Sequence, residues 1–303
     1  MEAEFYDWLR EHVPSDPSWP LGLRDDAAVW KRPGGAELVV TTDLLSDGVD
    51  FRLETDDPRR AGRKALAVNL SDLAAMAARP VAATVSIALP RSGIGGRTPL
   101  ELAIALFEGL LPLAKEFDVA IAGGDTNTHD GPTVISVTAF GEVTARGPLT
   151  RSGGQPGDAL LVTGTLGGSI LGHHFDFTPR VREALLLHER YELHAGMDIS
   201  DGLSLDLSRM ASASGCGAVI NVDSVPFSEA VRNTEERLDR ALSDGEDFEL
   251  LLAAPVDVAK KIVKDRPLGC PVTRIGRLIQ GDGLMFEKMF INPAYVEPRG
   301  WLH

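Results

Sequence analysis

The feature that most constrains this fold is the alternation of short apolar runs with longer amphipathic ones. Residues 37–43, 83–89 and 133–140 are rich in β-branched and apolar residues and have the length of strands. Residues 61–78 instead repeat apolar side chains at three- and four-residue spacing, which predicts a helix with one buried face. A second helix is predicted over 99–117. The first half of the chain is therefore expected to form a mixed α/β (α+β) unit.

The second half shows the same alternation after a polar stretch that contains Gly and Pro, near residues 141–151. A chain of 303 residues suits two domains, at roughly 100–200 residues per domain. We therefore predict an N-terminal domain over 1–145 and a C-terminal domain over 146–303. The elements predicted in the second domain are strands over 159–163, 218–222, 248–253 and 272–278, and helices over 202–214 and 256–264.

The charge balance argues against several classes of partner. The chain carries 30 Lys and Arg against 44 Asp and Glu, a net charge of −14, and so repels nucleic-acid phosphates and anionic lipids. No apolar run reaches the roughly 18 residues that a membrane-spanning helix needs. The N-terminus lacks the pattern of a secretory signal, and two cysteines are too few for a disulfide framework. We therefore expect a cytoplasmic protein that binds neither nucleic acid nor membrane.

Aspartates stand at the ends of predicted strands and helices, next to small residues. Asp43 ends the strand over 37–43, and Asp125 ends a strand predicted over 119–125. Asp72 interrupts a helix rich in Ala and Leu, although Asp is a weak helix former. Mg²⁺ prefers oxygen ligands and shares its coordination between a few carboxylates and substrate phosphates, so this distribution indicates a magnesium-phosphate site. The other acidic residues in such positions are Asp25, Asp26, Asp198, Asp201, Glu246 and Asp247.

Each of these acidic runs also has a purely structural interpretation. Asp198 and Asp201 are suited to capping the helix that follows them. Asp25 and Asp26 fit a solvated turn, and Asp72 fits an exposed helix face. The residue pattern alone leaves these alternatives open.

Glycine-rich and histidine-containing segments give weaker signals. Gly123-Gly124-Asp125-Thr126 fits either a tight turn or a place where backbone N–H groups approach a phosphate. The Gly164–Gly168 loop matches neither of the common glycine motifs for nucleotide binding. The adjacent His173 and His174 are predicted to lie at the surface, and zinc is not expected.

Seven segments in order carry a family resemblance that no single one of them would establish. Taken together they resemble the thiamine-monophosphate kinases, in the superfamily that includes aminoimidazole ribonucleotide synthetase. The resemblance covers most of the chain. The seven segments are residues 25–29, 41–45, 64–76, 123–126, 149–153, 198–203 and 245–250.

The resemblance implies a fold, an activity and a set of ligands. The fold is a two-domain α/β architecture like that of aminoimidazole ribonucleotide synthetase, with N-terminal sheets that pair across a homodimer. The activity is transfer of the ATP γ-phosphoryl group to thiamine monophosphate, assisted by several Mg²⁺ ions, to give thiamine diphosphate and ADP. The accepting phosphate has a second pKa of about 6 and is largely deprotonated at neutral pH, so no general base is expected.

The resemblance also implies roles for individual residues. Its metal ligands correspond to Asp26, Thr41, Thr42, Asp43, Asp72, Asp125, Asp198 and Asp201. Its ATP contacts correspond to Gly124, Asp125, Arg151 and Ser200. Its contacts to the thiamine end correspond to Asp50, Glu246 and Trp301. Among these, Arg151 is always charged and is suited to clamp a phosphate.

The chain departs from the family pattern at three positions near these residues. Arg24 and Asp244 stand where the family usually has glycine, and Asp50 stands where it usually has histidine. The segment between Gly168 and Met197 is also shorter than usual. These departures keep two alternatives open, a superfamily enzyme with another acceptor and a nucleotide-binding relative without catalysis.

Overall fold

The computed structural model describes residues 2–22, 25–35, 37–288 and 291–300. Helices and strands alternate along the chain. In chain order they are α1 (Glu2–His12), β1 (Ala28–Trp30), β2 (Leu38–Ser46), α2 (Pro58–Ala75), β3 (Arg79–Pro90), α3 (Pro99–Glu116), β4 (Ala120–His129), β5 (Val134–Glu142), β6 (Ala159–Thr163), α4 (His173–Asp176), α5 (Val181–Arg190), β7 (Ala195–Asp198), α6 (Leu203–Ala213), β8 (Gly217–Asn221), α7 (Arg237–Ser243), β9 (Leu250–Ala254), α8 (Val256–Asp265), β10 (Val272–Ile279), β11 (Leu284–Lys288) and β12 (Ile291–Val296).

The N-terminal strands form one sheet in the order β1-β2-β5-β3-β4, in which only the β3–β4 pair is parallel among the described residues. Helices α2 and α3 pack together on one face of this sheet. Strand side chains alternate between the two faces. On β2 this alternation buries Thr41 and Leu45 on the helix side and leaves Thr42 and Leu44 exposed on the open face.

Helix α2 is the central support of the fold. Asp57 caps its N-terminus by accepting a hydrogen bond from the Arg59 N–H, and Pro58 occupies the first turn, where it costs no hydrogen bond. The helix crosses α3 so closely that a Cβ on Gly62 would lie 1.9 Å from the carbonyl oxygen of Leu106. Only glycine fits this contact, which brings the two helices together over the sheet.

The C-terminal strands form a second sheet in the order β12-β11-β8-β10-β6-β9-β7. Its two faces carry separate apolar layers because side chains alternate along each strand. Leu160 and Val162 of β6 face a layer that includes α6 and α7, whereas Ala159 and Leu161 face a layer that is continuous with α2 and α3. The core therefore runs without interruption from the first sheet to the second.

Most of the predicted elements are confirmed, and the differences have local causes. The strand predicted to end at Asp125 continues to His129, so the tight turn suggested for Gly123–Thr126 is wrong. Gly124 lies within the β3–β4 pairing, where a Cβ would be 1.8 Å from the carbonyl oxygen of Val85. The elements that the sequence patterns missed are short or peripheral, namely β1, β7, α7, β11 and β12.

The domain boundary expected near residue 145 stays a prediction, since β5 ends at Glu142 and β6 begins at Ala159. No helix in the described part of the chain combines the length and the apolar content needed to cross a membrane.

Candidate active site

Three carboxylates from distant parts of the chain meet in one place. Asp26 precedes β1, Asp72 lies near the C-terminal end of α2, and Asp198 ends β7. Each offers a carboxylate oxygen, and these three oxygens all lie within 4.8 Å of one another. The site therefore combines residues from both sheets and from the central helix.

Hydroxyl groups hold two of these carboxylates in place, and the third is buried. The Ser71 hydroxyl donates to Asp198 Oδ2 at 2.5 Å, and the Thr41 hydroxyl donates to Asp72 Oδ2. The side chain of Asp26 is 1% exposed, and its Oδ2 is buried without a hydrogen-bond partner among the described residues. The solvated turn considered for Asp25 and Asp26 is thus wrong for Asp26.

The crowding of these acidic groups changes their protonation. Burial, followed by the charges of Asp43 and Asp198, raises the pKa of Asp72 well above its ordinary value. Burial and the charge of Asp26 raise the pKa of Asp198 in the same way. Burial and the adjacent Asp26 also raise the pKa of Asp25 to about 7. A divalent cation would remove this repulsion, and carboxylate oxygens are the ligands that Mg²⁺ and Ca²⁺ prefer.

Arg151 lies beside the carboxylates and has N–H groups to spare. Its Nη2 donates to Asp26 Oδ1 at 2.6 Å, and its backbone N–H donates to both oxygens of Asp25. Its Nε is buried and has no partner among the described residues. A guanidinium in this position can bind a phosphate oxygen next to a cation held by the carboxylates.

The loop that carries Ser200 and Asp201 is held by the helix that follows it. Asp206 accepts hydrogen bonds from the N–H groups of Ser200, at 3.1 Å, and Asp201, at 2.9 Å. Arg209 forms ion pairs with both Asp201 and Asp206. Helix α6 begins after Gly202 without a side-chain cap, so the capping role considered for Asp198 and Asp201 is wrong.

The remaining predicted metal and nucleotide residues lie on different surfaces. Asp43 shares the helix-covered side of β2 with Thr41, and its charge acts on Asp72. The Thr42 hydroxyl lies on the open face of the sheet and donates to the carbonyl of Val137. Gly124 and Asp125 lie on the exposed edge strand β4, and Asp125 pairs in register with the exposed Ser86. The structure therefore brings Asp43 to the cluster but leaves the side chains of Thr42 and Asp125 on the open face.

A second group of charged residues surrounds Glu246. The ammonium of Lys64 lies 2.5 Å from Glu246 Oε1 and 2.9 Å from His174 Nδ1, and His174 Nδ1 lies 3.2 Å from Glu246 Oε2. Burial alone would raise the pKa of Glu246, but its contacts with His174 and Lys64 outweigh this and hold the pKa below its ordinary value. Glu246 is therefore a carboxylate that stays ionised.

Glu246 is joined directly to the loop that carries Ser200. Its backbone N–H donates to the Ser200 carbonyl at 2.6 Å. The loop makes this contact with Gly245 at φ +73° and Glu246 at φ +54°, and a Cβ on Gly245 would approach the same carbonyl to 2.8 Å. Residues predicted for the acceptor and for ATP therefore lie side by side.

The three departures from the family pattern have different positions. One carboxylate oxygen of Asp50 accepts a hydrogen bond from the N–H of Ser46 at 2.7 Å, and its backbone carbonyl accepts one from the Lys64 ammonium at 3.0 Å. Asp244 accepts from the N–H of Gly168 at 3.0 Å, and the neighbouring Gly167 donates to Asp247. The glycine loop is thus bound by carboxylates. Arg24, like the predicted substrate contact Trp301, lies outside the described residues.

Sequence reasoning missed Lys64, His174 and Asp206. The surface position predicted for His173 and His174 is wrong for His174, which is buried, whereas His173 is exposed. A signal was present for Lys64, since a lysine eight residues before Asp72 lies on the same face of a helix. Nothing in the local sequence indicates the partners of His174, because they come from α2 and from the loop before β9.

Comparisons with known proteins agree with this geometry. The family model "AIR synthase related protein, N-terminal domain" matches residues 24–143, and the corresponding C-terminal model matches residues 155–287. The chain is 42% identical to a thiamine-monophosphate kinase from Rhodopirellula baltica, over all of this chain and 97% of that protein.

Two solved structures resemble the whole chain. A thiamine-monophosphate kinase from Stenotrophomonas maltophilia is 35% identical, with a TM-score of 0.75 over 94% of this chain and 96% of that one. The structure of AaThiL complexed with AMPPCP and TMP is 27% identical, with a TM-score of 0.82 over 99% of this chain and 96% of that one. The two-domain architecture expected from the sequence is thus confirmed.

Proposed function

The chain belongs to the thiamine-monophosphate kinase family, and from this premise we propose how its residues carry out the reaction. The enzyme transfers the γ-phosphoryl group of ATP to the phosphate of thiamine monophosphate and releases thiamine diphosphate and ADP. The observation that carries the proposal is the convergence of Asp26, Asp72 and Asp198 beside the Arg151 guanidinium.

Asp26, Asp72 and Asp198 hold Mg²⁺ in this proposal, together with Asp43. Two features of the site support this assignment. One is the buried oxygen of Asp26 that lacks a hydrogen-bond partner among the described residues, and the other is the burial, followed by repulsion from neighbouring carboxylates, that raises the pKa of Asp72. When bound, Mg²⁺ neutralises the phosphate oxygens of both substrates. We assign Thr41 and Asp201 to further Mg²⁺ ions beside this cluster, as the family resemblance implies. The resemblance also implies Thr42 and Asp125, and we assign these two to ions bound apart from the cluster, since their side chains lie on the open face of the sheet.

The protein orients the two substrates and supplies charge, and none of its residues transfers a proton. Arg151 binds the transferred phosphoryl group through its guanidinium, which Asp26 holds in place. The loop that carries Ser200 is held by Asp206 and contacts the ATP phosphates. We assign Gly124 to a further contact with ATP, as the family resemblance implies. The accepting phosphate is largely ionised at neutral pH, so in-line transfer needs orientation and neutralisation but no base.

The acceptor lies between the carboxylates and Glu246. Lys64, which contacts Glu246, and Asp72 are eight residues apart on one face of α2, a distance of about 12 Å along the helix axis. Thiamine monophosphate would place its phosphate at the Asp72 end and its cationic ring system at Glu246. We assign Asp50 and Trp301 to the binding of this ring system because the family resemblance implies it. An ionised carboxylate is suited to a cationic ring.

The assembly and location follow the same family. We propose a homodimer formed by the N-terminal sheet, whose open face and edge strand β4 expose Thr42, Leu44 and Asp125. We place the enzyme in the cytoplasm, in agreement with the free thiols of Cys216 and Cys270. The cofactor is Mg²⁺, bound as several ions, and the co-substrate is ATP.

The direct test is chromatographic detection of thiamine diphosphate after incubation with ATP, Mg²⁺ and thiamine monophosphate. The Asp72→Asn variant is expected to lose activity by a factor of about 100 or more, because it removes a charge at the metal site. Asp130→Asn is the matched control, since the side chain of Asp130 is exposed and pairs with Arg91 at the surface. An inactive wild type, or an Asp72→Asn variant as active as wild type, would contradict the proposal.

A further inference from the structure

We propose that Lys64 and His174 are positioning residues that fix the Glu246 carboxylate for recognition of the acceptor. This inference rests on the proposed function, because it concerns the end of the acceptor that is remote from the transferred phosphate. Neither residue was assigned a role by the sequence pattern, and both reach the site only through the tertiary fold.

Lys64 is a buried lysine with a complete set of partners. Its side chain is 0% exposed, whereas the side chain of Glu246 is 20% exposed. An ammonium group has three N–H donors. The three acceptors around Lys64 are the Asp50 carbonyl at 3.0 Å, His174 Nδ1 at 2.9 Å and Glu246 Oε1 at 2.5 Å. Lys64 therefore acts through Glu246, which is the exposed member of the group.

Glu246 is held by a contact whose direction His174 fixes. Lys64 contacts Oε1 of Glu246, and His174 Nδ1 accepts a hydrogen bond from the same ammonium group. Lys64 and His174 are both buried, so the carboxylate of Glu246 is held from its buried side. A fixed and ionised carboxylate loses little entropy when a cation binds, which favours affinity.

Lys64 also links the position of Glu246 to the metal site. It is on the same helix as Asp72, about 12 Å away along the helix axis. Because Lys64 contacts Glu246, helix α2 ties the position of this carboxylate to that of Asp72.

The neighbouring cations on α2 have different partners from those of Lys64. Arg60 binds Asp176 and the Gly172 carbonyl, and Arg63 binds the carbonyls of Phe175 and Phe177. Both arginines anchor the segment that carries His174. Lys64 reaches the same segment but continues to Glu246.

The test is steady-state kinetics of Lys64→Met, with Arg59→Met as the matched control. Lys64→Met is expected to raise KM for thiamine monophosphate about tenfold or more, with kcat and KM for ATP within about twofold of wild type. Arg59→Met removes a cation of the same helix that pairs with Asp57 and Glu108, and not with Glu246 or the segment of His174, so its KM is expected to stay unchanged. Lys64→Arg is expected to restore part of the affinity.

The double variant Lys64→Met/Glu246→Gln distinguishes positioning from a general effect on folding. If Lys64 acts through Glu246, adding Lys64→Met to Glu246→Gln raises KM little further. A KM for thiamine monophosphate that is unchanged in Lys64→Met, or an equal rise in both backgrounds, would overturn the inference while the kinase function stands. A wild type without turnover overturns both.

His174→Asn provides a second route if Lys64→Met does not fold. Asparagine keeps a polar atom near the place of Nδ1 but loses the ring, so we expect a rise of about threefold in KM for thiamine monophosphate, whereas His174→Leu raises it about tenfold. Equal KM values for wild type and His174→Leu would overturn the inference for His174.

Discussion

Buried carboxylates in this protein are stabilised in different ways. Buried carboxylates at the Asp72 cluster are left to repel one another, and they need a cation. The Glu246 carboxylate instead has its cation, Lys64, within the fold. Asp247 represents a third case, a buried carboxylate that forms no ion pair with any residue the structure describes. The backbone N–H of Gly167 and the hydroxyl of Ser169 donate hydrogen bonds to it instead.

Asp247 is expected to make the stability of the protein depend on pH. Burial raises the pKa of Asp247 to about 7. The hydrogen bonds from Ser169 and Gly167 lower this pKa, and the charges of Glu249 and Asp244 raise it, but burial is the largest effect. The raised pKa contributes stability that is fully present below about pH 4 and is lost as the pH rises through about 7. Urea unfolding from pH 5 to 8 should therefore show a fall in unfolding free energy that is about 1–4 kcal/mol smaller in Asp247→Asn. An equal fall in both proteins would contradict this.

Secondary-structure elements were predictable where their hydrophobic period was clear. Helix α2 was expected over 61–78 and is found at Pro58–Ala75, because its apolar face is continuous. The acidic residues of the site were also visible in the sequence, but the strand ends predicted at Asp43 and Asp125 are wrong, because β2 continues to Ser46 and β4 to His129. The burial of His174 was not visible, because it depends on Lys64 and Glu246, which are 110 and 72 residues away. The predicted end of strand β4 came too early because its two glycines suggested a turn.

The glycines of β4 allow a comparison between two neighbouring positions. Gly123 and Gly124 have nearly the same φ, 158° and 156°, but a Cβ on Gly124 would clash with the Val85 carbonyl at 1.8 Å, whereas one on Gly123 meets nothing within 4 Å. Gly124→Ala should therefore lower the unfolding free energy by about 1–3 kcal/mol more than Gly123→Ala. Thermal and urea unfolding measure the difference. Equal losses would show that the backbone angle, and not the close strand contact, makes Gly124 necessary.

At the scale of the whole molecule, an acidic protein must bind two polyanionic substrates. The net charge of −14 opposes this, but the carboxylates that contribute to it are concentrated where they can hold cations. Bound Mg²⁺ inverts the local field, and Arg151 adds a fixed positive charge at the same point. The acidic composition and the anionic substrates are therefore compatible.

The carboxylate cluster also joins the two halves of the chain, because Asp26 and Asp72 belong to the first and Asp198 to the second. A cation that binds all three stabilises the folded protein by mass action, by about 2.7 kcal/mol at a free concentration one hundred times Kd. Mg²⁺ should therefore raise the melting temperature of the wild type above its value in KCl of equal ionic strength. Asp72→Asn should lose most of this rise and Asp130→Asn none. An equal rise in all three proteins would mean that Mg²⁺ acts on the general negative charge, and that the cluster is not the site that links the two halves.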